Sequence, residues 1–198
     1  MLYSRNDGTI LLKEFIIRFI TANYLILKKI IRKELPIRNN TKILDIGCGT
    51  GILSQYFSNA DYIGIDIDQN LIDFAKKKYP YKFITMSGDK ITFPSNSFDA
   101  ILIVGVIHHM NNNVSTNVLL HMKRILRKNG KALIIEAIPP IDAINFPGRL
   151  LRYFDEGHHI RNFQDYNVMF KKKFTIKKAY RQRGGIVDYG VFVLANSP

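Results

Sequence analysis

The sequence is poor in cysteine, tryptophan and acidic side chains. Cys48 is the single cysteine among 198 residues, which excludes an internal disulfide and a zinc site built from several cysteines. No apolar run reaches the ~18 residues that a transmembrane helix needs. The first residues also lack the continuous apolar core and cleavage site of a signal peptide. We therefore expect a protein of a reducing compartment, the cytoplasm.

The scarcity of acidic residues is uneven along the chain. The formal net charge is +13, with nine basic and three acidic side chains in residues 1–42 and fifteen against five in residues 123–183. Residues 43–122 instead hold five basic and seven acidic side chains. Such positive ends predict attraction to phosphorylated substrates, nucleic acid or an anionic membrane surface. The alternative, that these lysine-rich faces are merely solvated, stays equally open.

Length and pattern predict one domain over residues 1–198. Residues 1–42 are expected to form an N-terminal helical cap, built on an amphipathic helix over residues 10–34. Such a helix covers a sheet, lids a pocket or lies on a membrane surface. Residues 43–137 are the expected cofactor-binding half, and residues 138–198 the segment that borders the substrate and closes the sheet.

Strands and helices alternate through the middle of the chain. The predicted strands span 43–46, 62–66, 82–86, 98–104 and 131–137, and the predicted helices span 52–57, 69–79 and 114–126. This alternation predicts right-handed βαβ units around a mainly parallel, doubly wound α/β sheet. Two further strands, 173–180 and 186–195, predict an antiparallel C-terminal hairpin and bring the sheet to seven strands.

Three glycines at alternate positions, Gly47, Gly49 and Gly51, follow the first predicted strand. Glycine tolerates positive φ and lets a ligand approach the backbone closely. The amides of the turn and of the following helix attract a negatively charged group. Asp66 ends the next strand, where its carboxylate can accept from both hydroxyls of a ribose. These features predict a nucleotide-type cofactor, without deciding between a dinucleotide and another adenosine compound.

Several motifs in order resemble the class I S-adenosylmethionine-dependent methyltransferases. They are DIGCGTG at residues 45–51, GIDID at 64–68, GD at 88–89, and the strand from Phe98-Asp99 that leads to GVIHH at 105–109. The segment at residues 126–131, which leads into the fifth strand, is similar to the corresponding motif of that family, with Asn129 in place of a proline and Lys131 in place of a glycine. The resemblance runs from residue 43 to residue 137. It implies a Rossmann-like fold and S-adenosyl-L-methionine as the cofactor.

The resemblance also implies which residues hold the cofactor. They are Asp45, Gly47, Cys48, Gly49, Gly51, Asp66, Ile67, Asp89, Lys90 and Val104. The glycine loop would wrap the methionine part, Asp66 the ribose hydroxyls and Asp89 the exocyclic amine of adenine. The Lys90 amide would reach the adenine ring, Ile67 and Ile91 would pack on its faces, and Val104 would lie beside the methyl group. Asp45 has a second interpretation, which is to fix the loop by hydrogen bonds.

The residues after the fourth strand carry the candidate chemistry. Neither an Asn/Asp-Pro-Pro-aromatic motif nor a cysteine stands there, which argues against methylases of nucleic-acid amines and of pyrimidine C5. His108 and His109 are the catalytic candidates, because a histidine near the methyl donor can act as a base. Both are equally candidates for shaping the pocket.

A second polar cluster precedes the C-terminal hairpin, where this family builds its substrate pocket. The candidate substrate residues are Tyr153, Glu156, His158, His159 and Arg161. The alternative is a polar loop with local salt bridges. No metal site is expected, because too few ligands stand together.

These observations predict methyl transfer to a small or medium-sized acceptor, since no separate recognition domain is evident, with oxygen favoured over nitrogen or carbon. One alternative is an RNA or lipid/isoprenoid methyltransferase that uses the basic surface. Another is a non-catalytic partner subunit that still binds S-adenosylmethionine. The oligomeric state is not predicted.

Overall fold

The computed structural model describes residues 23–140, 159–184 and 187–196. The strands are β1 Lys42–Ile46, β2 Asp61–Asp66, β3 Lys82–Thr85, β4 Phe98–Val104, β5 Leu126–Ile138, β6 Phe174–Gly184 and β7 Val187–Asn196. The helices are α1 Asn23–Glu34, α2 Gln69–Lys78, α3 Asn112–Ile125 and α4 Phe163–Lys171, with short 3₁₀ helices at Ile52–Tyr56 and Ile107–His109.

The strands form one seven-stranded sheet in the order β3-β2-β1-β4-β5-β7-β6. Neighbours from β3 to β5 are parallel, and β7 inserts antiparallel between β5 and the edge strand β6. The predicted doubly wound sheet with a C-terminal antiparallel hairpin is therefore confirmed. Because β2 and β4 flank β1, the strand order reverses at β1, and sheets of this type bind their ligands at the carboxyl ends of the strands at such a point, here β1 and β4.

Both faces of the sheet are covered by apolar side chains, as the continuous apolar run of β4 predicts. Helix α1 covers one face with Leu27, Ile30 and Ile31, whose spacing of three and four places them on one side of the helix. The part of the predicted helix that precedes residue 23 lies outside the described residues.

Three elements differ locally from prediction. Helix α3 begins at Asn112 rather than residue 114, because the Asn111 side chain accepts hydrogen bonds from the backbone amides of Asn113 and Val114. The residues expected to form the first helix after the glycine loop make only the 3₁₀ helix Ile52–Tyr56. The turn expected at residues 127–130 is instead part of β5, where the pairing with β4 shifts register.

Helix α1 is fastened to the edge strand by a buried carboxylate. Glu34 accepts hydrogen bonds from Lys178 Nζ at 2.8 and 3.0 Å and from the Tyr180 hydroxyl at 3.1 Å. Burial raises the pKa of Glu34, but these hydrogen bonds and the lysine charge outweigh it and hold the pKa below its usual value. Within the described ranges, no helix has the length and apolarity needed to cross a membrane.

Candidate active site

The glycine loop adopts a backbone conformation that only glycine accepts readily. Gly47, Gly49 and Gly51 have φ of 74°, 54° and 74°. A Cβ on Gly47 would lie 2.5 Å from Val106, and one on Gly51 would lie 2.7 Å from the Phe83 ring. A Cβ on Gly49 would meet nothing within 4 Å. The outer glycines therefore allow close packing, whereas Gly49 borders open space where a ligand can approach the backbone.

Asp66 connects this loop to the end of β2. One of its carboxylate oxygens accepts from the Gly49 amide at 2.8 Å, and the other accepts from the Asp68 amide at 3.0 Å. The next side chain, Ile67, is 74% exposed, which is unusual for a large apolar residue in the described part of this chain. A carboxylate and an exposed apolar surface thus stand together at the loop.

Asp45 lies on β1, two residues before Gly47, and is almost completely buried. It accepts a hydrogen bond of 2.7 Å from the Tyr62 hydroxyl. Burial raises the pKa of Asp45 to about 7; the charge of Asp66 adds to the rise, and the Tyr62 hydrogen bond opposes it. This geometry favours a structural role for Asp45, which joins β1 to β2 directly before the loop, over direct contact with a ligand. Cys48 is also buried, and burial raises the pKa of its thiol.

The segment after β3 holds the residues predicted to contact adenine. The Ser87 hydroxyl donates to the Asp89 carboxylate, and the Lys90 amide donates to the Ser87 carbonyl at 3.1 Å. Ile91 is buried in the core and exposes only 3% of its surface. Of the two isoleucines expected to sandwich an adenine ring, only Ile67 presents an exposed face.

Glu136, which the sequence reasoning missed, organises the loop after β4. Its Oε1 accepts from the amides of Val106 at 3.0 Å and Ile107 at 2.8 Å. Its Oε2 lies 3.3 Å from the amide nitrogen of His108 and 2.7 Å from its Nδ1. Glu136 is fully buried near the end of β5. The available signal was a lone acidic residue inside the otherwise apolar run of β5.

The two histidines differ in their surroundings. His108 is 5% exposed and is held by Glu136, whereas His109 is exposed on the surface. Their ring centroids lie 4.1 Å apart. Val104, at the end of β4, is half-buried just before this loop. Of these two histidines, His108 is therefore the one that is buried against a carboxylate.

Two of the predicted substrate residues, His159 and Arg161, are tied to the same loop. The His159 amide donates to the His108 carbonyl at 2.9 Å. The Arg161 guanidinium donates to four oxygens: the carbonyls of Ile107 (3.2 Å), Met110 (3.0 Å) and His159 (3.1 Å), and Oδ1 of Asn112 (2.8 Å). Arg161 thus fastens the loop. Tyr153, Glu156 and His158 lie outside the described residues.

The sheet is Rossmann-like, and its glycine loop and the carboxylate of Asp66 lie where the strand order reverses. This combination is typical of α/β proteins that bind an adenosine cofactor through its ribose. Residues 44–134 match the model of a family described as a methyltransferase domain. This match agrees with the resemblance of the chain to the class I S-adenosylmethionine-dependent methyltransferases, and it supports S-adenosyl-L-methionine as the cofactor.

Individual relatives are distant. An uncharacterized protein of Methanocaldococcus jannaschii is 30% identical over 161 residues, which cover 81% of this chain and 54% of the relative. The demethylmenaquinone methyltransferase of Thermotoga maritima is 25% identical over 64% of this chain and 56% of its own length. A tRNA (carboxymethyluridine(34)-5-O)-methyltransferase of Xenopus tropicalis is 31% identical over 93 residues, 46% of this chain and 15% of its own. The chain spans about half the length of the first two.

Solved structures show the same fold at low identity. A SAM-dependent methyltransferase from Aquifex aeolicus superposes with a TM-score of 0.70 at 14% identity, covering 97% of this chain and 100% of that one. A Haemonchus contortus phosphoethanolamine N-methyltransferase in complex with S-adenosyl-L-methionine gives 0.74 at 15% identity, covering 98% and 58%.

Proposed function

We propose that this chain transfers a methyl group from S-adenosylmethionine to a small or medium-sized acceptor, with a hydroxyl oxygen as the favoured acceptor atom. The observation that carries the proposal is the buried pair of His108 and Glu136, 2.7 Å apart, directly after β4 at the edge of the sheet that holds the glycine loop. A buried imidazole with a carboxylate partner is suited to accept a proton.

The residues of the loop fit the cofactor. Gly49 borders open space, Asp66 presents two carboxylate oxygens for the ribose hydroxyls, and Ile67 offers an exposed apolar face for adenine. Asp66 would exchange its hydrogen bond with the Gly49 amide for one with the ribose. That amide would then face the cofactor's carboxylate, as the amides of a turn before a helix commonly do.

Bound S-adenosylmethionine would supply an electrophilic methyl group: the acceptor oxygen would form the new O–CH3 bond while the S–CH3 bond breaks and its electron pair returns to sulfur. The protein aligns acceptor and methyl group, which supplies most of the rate enhancement of such a displacement. His108 takes the proton that the acceptor hydroxyl loses. His109 is exposed beside it, and we assign it no proton-transfer role.

The test is transfer of a labelled methyl group to a panel of small hydroxyl, amine and carbon acids by wild type, His108→Asn and His109→Asn. Asparagine at 108 can still donate to Glu136, so the loop keeps its anchor. We expect His108→Asn to lower kcat by about 10²-fold or more, and His109→Asn to change it only a few-fold. Wild-type rates in His108→Asn would refute the proposed base. Cofactor binding without transfer to any acceptor would indicate a non-catalytic subunit.

A second candidate acceptor is RNA, favoured by the cations around the edge strand. The exposed ones are Lys171, Lys172, Lys177, Lys178, Arg181 and Arg183. Lys171 and Lys172 precede β6, and the other four lie on it over about 20 Å, at ~3.3 Å per residue, toward the edge of the sheet where the cofactor loop lies. Lysines also protect edge strands from pairing with another chain, which is the structural alternative.

Binding of tRNA at several salt concentrations separates these alternatives. If RNA follows β6, the double variant Lys172→Ser/Lys177→Ser weakens binding and reduces the salt dependence by about 0.7 per lost phosphate contact. The matched control Lys76→Ser/Lys77→Ser removes two exposed lysines from α2, at the other end of the sheet. Equal effects of the two variants, or no binding at low salt, would remove this candidate. Binding to anionic vesicles in place of tRNA would favour a lipid or isoprenoid acceptor.

A further inference from the structure

Both carboxylate oxygens of Glu136 have hydrogen-bond partners in the loop after β4. Its two oxygens face the amides of three consecutive residues, Val106, Ile107 and His108, as well as the imidazole of His108. All four contacts are made without exposure to solvent. In such surroundings a polar contact is strong when it is satisfied and costly when it is not.

We propose that Glu136 is a positioning residue for methyl transfer: it fixes His108 as the Nδ1–H tautomer, so that Nε2 takes the acceptor's proton, and it holds the loop in place. This inference rests on the proposed role of His108. It adds a residue from a different strand, 28 positions along the chain from the histidine.

The tautomer follows from the identity of the neighbours. Backbone amides are always donors, so both oxygens of Glu136 must act as acceptors. A deprotonated Nδ1 would then direct its lone pair at an oxygen lone pair only 2.7 Å away. A hydrogen on Nδ1 turns this repulsion into a short, charge-assisted hydrogen bond. The carboxylate therefore selects the hydrogen position on the ring.

The same loop is held from the other side by a positive charge. Glu136 accepts from its amides, while Arg161 donates to its carbonyls at Ile107 and Met110. Tyr166 of α4 lies close to both charged groups: burial raises the pKa of its hydroxyl, the charge of Glu136 adds to the rise, and Arg161 opposes it. The loop is thus anchored to β5 through Glu136 and to the segment before α4 through Arg161, and both β5 and α4 contribute to the core.

Replacing Glu136 should therefore affect turnover and leave cofactor binding intact. The contacts of Glu136 described above are made to the loop after β4 and none involves Asp66, although Val106 of that loop also packs against Gly47. In Glu136→Gln the amide nitrogen would face Nδ1 and donate to it, which forces the Nε2–H tautomer. Since a wrong tautomer removes the base, kcat should fall by about 10²-fold or more while KM for S-adenosylmethionine stays the same.

The direct test is nitrogen-15 NMR of the imidazole rings at pH 8.5 in wild type and Glu136→Gln, with and without S-adenosylhomocysteine. The chain has 5 histidines, and the His108 signals are those missing from His108→Asn. We expect a neutral Nδ1–H ring in wild type and an Nε2–H ring in Glu136→Gln. An Nε2–H or doubly protonated wild-type ring would overturn the inference, as would an unchanged tautomer in the variant. The wild-type spectrum alone tests the tautomer of His108, even if the variant does not fold.

Asp188→Asn is the matched control. Asp188 is also a buried carboxylate, on β7 opposite Ile138, two residues from Glu136 along β5. The same carboxylate-to-amide change there should lower stability without altering the His108 tautomer. A tautomer change in both variants would mean general loosening and refute a positioning role. An Nδ1–H ring in a protein that methylates no acceptor would instead refute the proposed function and leave this assignment standing.

Discussion

Asp45 should make the stability of the ligand-free protein depend on pH in an unusual direction. Burial raises its pKa from 3.8 to about 7. The unfolded chain releases this proton near pH 4, whereas the folded protein keeps it until about pH 7. The contribution of Asp45 to stability is therefore fully present below pH 4 and is lost as the pH rises to 7. At ~1.4 kcal/mol per pKa unit, the loss is about 4 kcal/mol.

Asp45→Asn removes this dependence while keeping an oxygen to accept from Tyr62. The free energy of unfolding of wild type and variant, measured by urea denaturation between pH 4.5 and 8.5, gives a difference in which other titrating groups largely cancel. Between pH 4.5 and pH 7 we expect the variant to gain on wild type by about 3 kcal/mol, because part of the total of about 4 kcal/mol is already lost at pH 4.5, and the difference should level off above pH 7. A difference that does not change with pH would show that Asp45 is ionised throughout, and would refute the reasoning.

Three further predictions concern the loop and helix α1. Asp66→Ala should weaken S-adenosylhomocysteine binding, measured by calorimetry, by about 100-fold, because two hydrogen bonds to a charged group are lost; His108→Ala should change it only slightly, and equal losses would mean that the two sites are misplaced. Gly47→Ala should lower both the melting temperature and cofactor affinity, since its Cβ would lie 2.5 Å from Val106 at a φ of 74°; an unchanged melting temperature would contradict this. Glu34→Gln should destabilise the protein by about 1–3 kcal/mol at pH 7, and less as the pH falls through the lowered pKa of Glu34, where wild type loses the same interaction; urea denaturation at pH 7 and pH 4 measures both.

Local sequence was sufficient for most of the fold. Strand β4 has the bounds that its apolar run predicted, and the C-terminal hairpin pairs as its spacing indicated. The start of α3 lies two residues earlier than predicted because the Asn111 side chain caps the helix. A capping residue acts within three positions, but its signal is weak beside an apolar pattern that extends over a whole helix.

Packing, by contrast, decided how the polar residues are used. Asp45 and Tyr62 are 17 positions apart, and their buried hydrogen bond joins β1 to β2. Arg161 reaches the loop after β4 across 51 and 54 positions, which no spacing rule could anticipate. Burial also separates Ile67 from Ile91, two residues that look equivalent in sequence.

By itself, the sequence determined the order of strands and helices, the glycine loop and the acid at the end of β2, because each depends on residues close together in the chain. These features were sufficient to predict S-adenosylmethionine as the methyl donor. Only the tertiary structure decided which histidine is buried against a carboxylate and which cation fastens the loop, because those contacts join β5 and the segment before α4 to the end of β4. The loop after β4 therefore owes its shape to two charges that are distant in sequence and adjacent in the folded chain.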